Sequence, residues 1–284
     1  MHAKFFTRRF SMVFWPLRSL AERAAASRAD AIINPRARTT RFPIRALRYW
    51  WIHTALLREV PRYNRPVSIV DVGCSIGQIK SFVGTIPQSI WTGLDFTIHA
   101  ALLRQRGYTE LHQCDFDQPL PLASASADVV IFLHVIEHLP RPAFTLNELA
   151  RILRPGGLLL AGSPIAPAWI AAARHRHLRR RFRHGLPQPN LHLNSMSCSR
   201  WLALLHDAGL AVELLAGTYF ARISGSPLEN YAVWARLNLI WGALFPSLGS
   251  ELCLAARKPI PAPPPALTLL PSAAASPSLV LDTS

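Results

Sequence analysis

Apolar positions along the chain change their period near residue 66. Upstream, Leu47, Trp50, Trp51, Ala55 and Leu56 recur at helical spacing and predict a helix over 45–59. Downstream, short apolar runs alternate with amphipathic stretches. The runs predict strands over 68–72, 90–94, 111–114, 128–135 and 158–161, and the stretches predict helices over 77–83, 98–106 and 143–153. Beyond 164 the pattern loosens into an Ala-rich helix within 164–189, a helix over 199–208, a strand over 210–215, an apolar aromatic helix over 229–245 and a last strand over 251–256. Strands that alternate with helices predict an α/β fold, a mostly parallel seven-stranded sheet with helices on both faces. Ligands of such sheets bind outside the carboxyl ends of the strands, where the strand order reverses. Attention therefore falls on the loop after the first strand.

Composition adds a charge asymmetry. The chain has 284 residues, half of them apolar, enough for a sizeable core. Its net charge is +15, and residues 1–66 hold 14 Lys/Arg against three acids. A second basic cluster, rich in Arg and His, runs over 174–184. Basic surfaces attract nucleic acid, anionic lipid and acidic substrates alike, so sign alone does not choose a partner. Residues 1–43 read as a basic N-terminal extension, loosely ordered or lying on a membrane surface; 44–258 form the main domain; 259–284, rich in Pro, Ala and Ser, read as a disordered tail. No apolar run approaches the ~18 residues of a membrane span. Cys74, Cys114, Cys198 and Cys253 lie far apart without metal-ligand spacing, which fits a reducing, cytoplasmic setting.

The loop after the first strand reads Val70-Asp71-Val72-Gly73-Cys74-Ser75-Ile76-Gly77. Its Asp-x-Gly-x-x-x-Gly spacing is not the Gly-x-Gly-x-x-Gly that seats a pyrophosphate, and the acid at the strand end suits an amino-bearing ligand better. Two further acids end the next strands: Asp95, 24 residues after Asp71, and Asp115. Downstream stand Leu133-His134-Val135-Ile136-Glu137-His138-Leu139 and Leu149-Ala-Arg-Ile-Leu-Arg-Pro-Gly-Gly157. In order and spacing these motifs resemble those of class I S-adenosylmethionine-dependent methyltransferases, in their small-molecule, type 11-like branch. The resemblance covers 67–164 strongly and continues weakly to about 259.

The resemblance implies a Rossmann-like, doubly wound fold and S-adenosyl-L-methionine as cofactor. It implies that Asp71 orients the methionine end, that the backbone at Gly73, Cys74 and Gly77 lies along the cofactor, that Asp95 takes the ribose hydroxyls, and that Asp115 meets the adenine. Phe96, Phe116 and His134 complete that set. His134, His138 and His192 are the candidate catalytic residues, because an oxygen or nitrogen acceptor must lose a proton. Segments at about 165–195 and 225–247 are placed like acceptor-covering inserts. The expected reaction is methyl transfer to an oxygen of a small-molecule or lipid-linked acceptor, with peripheral membrane contact through the basic N-terminus. Nucleic acid is disfavoured, since the Asn/Asp-Pro-Pro-aromatic motif that stacks a flipped base is missing after the fourth strand. The alternative is a non-catalytic nucleoside-binding, or basic membrane- or nucleic-acid-binding, protein on the same fold. His134-x-x-Glu137-His138 also matches a zinc-protease pattern. No metal is expected from it, because a His ending a strand cannot share a helix face with His138 and no third ligand is evident.

Overall fold

Along β1 (Val67–Val72), Val67 and Ile69 join one hydrophobic cluster while Val70 and Val72 join another. Strand geometry imposes that alternation, and burial on both faces is what a helix-covered parallel sheet requires. In the computed structural model, which describes residues 11–29, 40–182, 192–218, 220 and 225–261, six further strands follow. They are β2 (Ser89–Asp95), β3 (Glu110–Gln113), β4 (Ala127–Leu133), β5 (Leu153–Pro164), β6 (Ala211–Gly217) and β7 (Glu251–Arg257). The sheet order is β3-β2-β1-β4-β5-β7-β6. β7 runs antiparallel to β5 and β6, and the other neighbours are parallel. The order reverses between β1 and β4, so their carboxyl ends open the crevice.

The helices described are α1 (Leu17–Ala29), α2 (Leu47–Glu59), α3 (Gln78–Val83), α4 (Ala100–Gln105), α5 (Pro142–Ile152), α6 (Ala168–Phe182), α7 (Cys198–Asp207) and α8 (Ala232–Leu244). Helix α5 has a clear apolar face, burying Thr145, Leu146, Leu149 and Ile152. β5 starts earlier than its apolar run predicts, because Pro155-Gly156-Gly157 is absorbed into the strand with Gly156 at φ +79°.

The N-terminal expectation needs correction. Within the presumed extension, Met12, Val13, Trp15, Leu17, Leu20 and Ala24 are buried in the core cluster on one face of the sheet. Leu17, Leu20 and Ala24 share a helical face, while Arg18 stays in solvent beside Glu22. Trp15 meets the Trp50 ring edge-on at 5.3 Å, and the Trp50 indole N–H donates to Ser19 Oγ at 2.7 Å. The charge of this segment therefore overlies a packed helix. Residues 1–10 and 30–39, and the Pro/Ala/Ser-rich tail from 262, lie outside the described residues.

Ion pairs pin the frame away from the crevice. Arg257 on β7 reaches Glu59 at the end of α2 (2.8 Å) and Glu213 on β6 (2.6 Å). Asp128, at the opposite end of β4 from the crevice, accepts both terminal nitrogens of Arg65 (2.7 and 2.6 Å) and the Ser68 amide, and forms an ion pair with Arg154 at 2.9 Å. These contacts hold the Asp128 carboxyl below its ordinary pKa despite the opposing cost of burial.

Candidate active site

β1 delivers the chain into the loop at Gly73, whose φ of +80° favours glycine, and a Cβ there would collide with Val135 Cγ2 across the crevice. The Gly73 and Cys74 amides both donate to the Leu94 carbonyl, at 2.8 and 3.1 Å, so the loop is fastened to β2. Asp95, at the end of β2, completes the tie: Oδ2 accepts the Ser75 amide at 2.7 Å and Oδ1 the Thr97 amide at 3.2 Å. Each carboxylate oxygen keeps a second lone pair, which leaves Asp95 able to accept hydroxyls from a ligand.

A cavity of about 190 Å³ lies between this loop and the end of β4, lined by Gly73, Cys74, Ser75, Gln78, Leu133 and His134. Arg48 and Tyr49 of α2 also line it. The Tyr49 hydroxyl donates to Gln78 Oε1 at 3.2 Å, bringing α2 over the loop.

Asp71 is on β1, two residues before Gly73. It is fully buried beneath the loop, with Oδ2 accepting the Tyr108 hydroxyl at 2.5 Å and Oδ1 without a hydrogen-bond partner among the described residues. Burial pushes its pKa up to about 7, against the Tyr108 hydrogen bond and with help from the Asp95 charge. Its bond to Tyr108 supports the loop from the core side. Phe116 also turns inward: it is 8% exposed and packs in the core cluster behind β4, whereas Phe96 is 69% exposed. Asp115 is exposed and accepts the Asp117 amide at 2.9 Å, closing its own turn.

His134 stands at the centre. It ends β4 with φ +56°, a conformation uncommon for a non-glycine residue. Its Nδ1 lies 3.3 Å from Glu137 Oε1, and its Nε2 lies 3.0 Å from Glu251 Oε1 and 2.7 Å from Arg48 Nη1. Burial opposes the charged imidazole, but the two carboxylates outweigh it and raise the His134 pKa. A ring tied at both nitrogens in this way is an anchor for the turn.

His138 and His192 come together, their rings edge-on with centroids 4.9 Å apart. The backbone arranges this: the Leu193 and Asn194 amides both donate to the Glu137 carbonyl, at 2.7 and 2.9 Å. The Asn194 side-chain amide also donates to the Leu139 carbonyl. Glu137, Arg174, His177, His192, Asn194 and Met196 are among the residues lining a second cavity, of about 500 Å³. Helix α6, within the segment 165–195, thus lines this cavity; the Arg/His run beyond Phe182 lies outside the described residues. No lining residue comes from 225–247, because α8 packs instead on β6, where Gly242 meets the Gly217 carbonyl too closely for any side chain.

Sequence reasoning missed Arg48, Tyr49, Gln78 and Glu251. The first two had a weak signal, as polar positions flanking the apolar stripe of α2. Glu251 had none, since an acid opening a strand reads as a turn residue until the fold brings it to His134.

A glycine turn at the switch point, an acid ending β2 and a recess between β1 and β4 define a nucleoside-cofactor crevice on a Rossmann-like fold. Residues 70–161 match the family model of the type 11 methyltransferases, described as a methyltransferase domain. A probable S-adenosylmethionine-dependent methyltransferase of Mycolicibacterium smegmatis is 26% identical over 204 residues, 68% of this chain and 74% of that protein. The malonyl-acyl-carrier-protein O-methyltransferase of Hahella chejuensis is 27% identical over 44% of this chain and 48% of its own. Among solved structures, the cyclase SpnF shares the fold at a TM-score of 0.52 and 16% identity, covering 86% of this chain and 94% of that one. Residues 70–161 thus form a methyltransferase domain of the class I, S-adenosylmethionine-dependent type, in the type 11 branch. The chain is an enzyme, and its cofactor is S-adenosyl-L-methionine.

The residues present fit that cofactor. The 190 Å³ recess at Gly73 and His134 would take the methionine end, and Asp95, with its spare acceptor capacity, the ribose. The exposed Phe96 ring and Asp115 lie beyond Asp95 for the base.

Proposed function

We propose that the enzyme transfers a methyl group to an oxygen of a small-molecule or lipid-linked acceptor seated in the 500 Å³ cavity under α6. One observation carries the reading. The turn after β4 joins both cavities, His134 lining the smaller and Glu137, three residues on, lining the larger. The cofactor supplies a methyl group already activated on sulfur, so the chain's task is to align the acceptor and exclude water. Apolar Pro164, Ile165 and Met196 would grip the acceptor's body, while Arg174 and His177 would meet an anionic group on it. The proton of an acceptor hydroxyl would leave toward Glu137, His138 and His192; His134, tied to Glu137 and Glu251, fixes the turn. The Hahella relative is named an O-methyltransferase, which supports oxygen as the acceptor atom.

A membrane source for the acceptor fits the surface. Phe14 is 79%, Val233 69%, Leu237 48% and Leu248 50% exposed, and α8 packs against the turn that carries Phe14. Such a patch beside a basic segment suits peripheral contact with anionic lipid. Among the described residues no helix is long and apolar enough to cross a membrane.

The test is transfer from methyl-labelled cofactor into a total lipid and small-molecule extract, with the labelled product solved by mass spectrometry and NMR. An O-methyl ether or ester is expected, with yield falling in Arg174→Glu. A label on nitrogen or carbon would overturn the oxygen reading.

A further inference from the structure

We propose that Glu137, His138 and His192 form a site for one divalent metal ion of the zinc class on the wall of the acceptor cavity. The placement resting on that cavity deepens the reading above; the metal site itself is separately measurable. One ligand atom from each residue lies within 4.8 Å of the others. Glu137 is 2% exposed, and its Oε2 has no hydrogen-bond partner among the described residues. A buried carboxylate oxygen without a donor is costly, and a cation is the partner that would offset it.

The surroundings hold the ligands in place. His134 Nδ1 lies 3.3 Å from the other oxygen of Glu137, and His134 is in turn tied to Glu251 at 3.0 Å. Support of that kind orients a coordinating carboxylate. The amides of Leu193 and Asn194, bonded to the Glu137 carbonyl at 2.7 and 2.9 Å, carry His192 to His138 across 54 residues of sequence. His134, the first histidine of the sequence pattern, is not in the cluster; His192, which no local pattern announces, takes the third place.

Two imidazoles and one carboxylate are the donors of open, four-coordinate zinc sites, and oxygen-seeking magnesium or calcium would prefer a different set. Three protein ligands leave a position open. Since Glu137 and His192 both line the cavity, an acceptor oxygen could take that position, which favours acceptors bearing a hydroxyl.

The experiment uses the full chain, dialysed against a chelator, with Zn²⁺ alone added in competition with a chromophoric chelator. The variants are His192→Ala, at an exposed position, and His138→Gln. His206→Ala, on a side chain 90% exposed elsewhere, is the control for casual histidine binding. Cofactor binding is measured on each variant without metal, so failure of the metal site and failure of the methyltransferase reading are told apart. About one bound equivalent, with affinity falling about a hundredfold or more in both site variants and unchanged in the control, supports the site. Zinc bound equally by wild type and either site variant, or lost equally in the control, overturns it.

Discussion

Asp71 offers a measurement of what the cofactor loop costs the fold. Its carboxyl titrates at about 7 in the folded chain against an ordinary value of 3.8. At about 1.4 kcal/mol per tenfold change in proton affinity, the difference is worth about 4 kcal/mol. The sign follows from the neutral form being preferred in the fold. Below about pH 4 Asp71 is protonated in folded and unfolded chains alike and costs nothing. As pH rises the unfolded chain ionises first, and stability is lost progressively until the folded group also ionises near 7. Above that the loss is constant. Asp71→Asn keeps an acceptor for the Tyr108 hydroxyl and removes the titration. Urea unfolding of both proteins, followed by tryptophan fluorescence at about pH 5 and about pH 8, isolates the effect. The variant should gain on wild type by about 2–3 kcal/mol more at the higher pH. A difference between the proteins that does not change with pH would refute the argument, because it would mean the carboxyl is not sealed from solvent. Cofactor affinity of the same variant then tells whether the sealed acid was retained for binding at the expense of stability.

Other outcomes follow from the same geometry. Asp95→Ala removes the acceptor of the Ser75 and Thr97 amides as well as the ribose partner, and calorimetry should find cofactor binding weakened roughly a hundredfold, or about 3 kcal/mol. Gly73→Ala forces a side chain into the left-handed region and against Val135; it should remain folded by circular dichroism while losing at least tenfold in cofactor affinity. Burial, reinforced by Arg23, lowers the His53 pKa to about 4, so the fold should lose stability as pH falls from about 6.5 through about 4. His53→Gln should flatten that part of the acid-unfolding curve, and an unchanged curve would exclude His53 as its cause.

The strands of the sheet were legible because parallel strands buried on both faces are spelled as unbroken apolar runs, and 128–135 is the clearest of them. The glycine turn at Gly73 and the acid ending β2 at Asp95 were legible as geometry, because they depend on the residues immediately around them. The burial of Asp71 and Phe116 was not legible, because Tyr108 and the core behind β4, both distant in sequence, produce it. Helical pieces were legible near the N-terminus, but the burial of Leu17, Leu20 and Ala24 against the core was masked by the arginines between them. The pairing of His138 with His192 was illegible for another reason: it is made by two backbone amides, which no side-chain pattern encodes.

Glu251 has a consequence for how the protein is made. Strands β1 to β5 can pair in the order of synthesis, but the carboxylate that holds His134 belongs to the last strand, and Arg257 on that strand reaches back to Glu59. A nascent chain halted before Glu251 would carry the glycine loop and Asp95 yet leave His134 with one carboxylate fewer. Contacts of such long sequence separation form late and slowly. The turn that lines both cavities is therefore fully tied only once β7 has joined the sheet, so its order should track the closing of that strand.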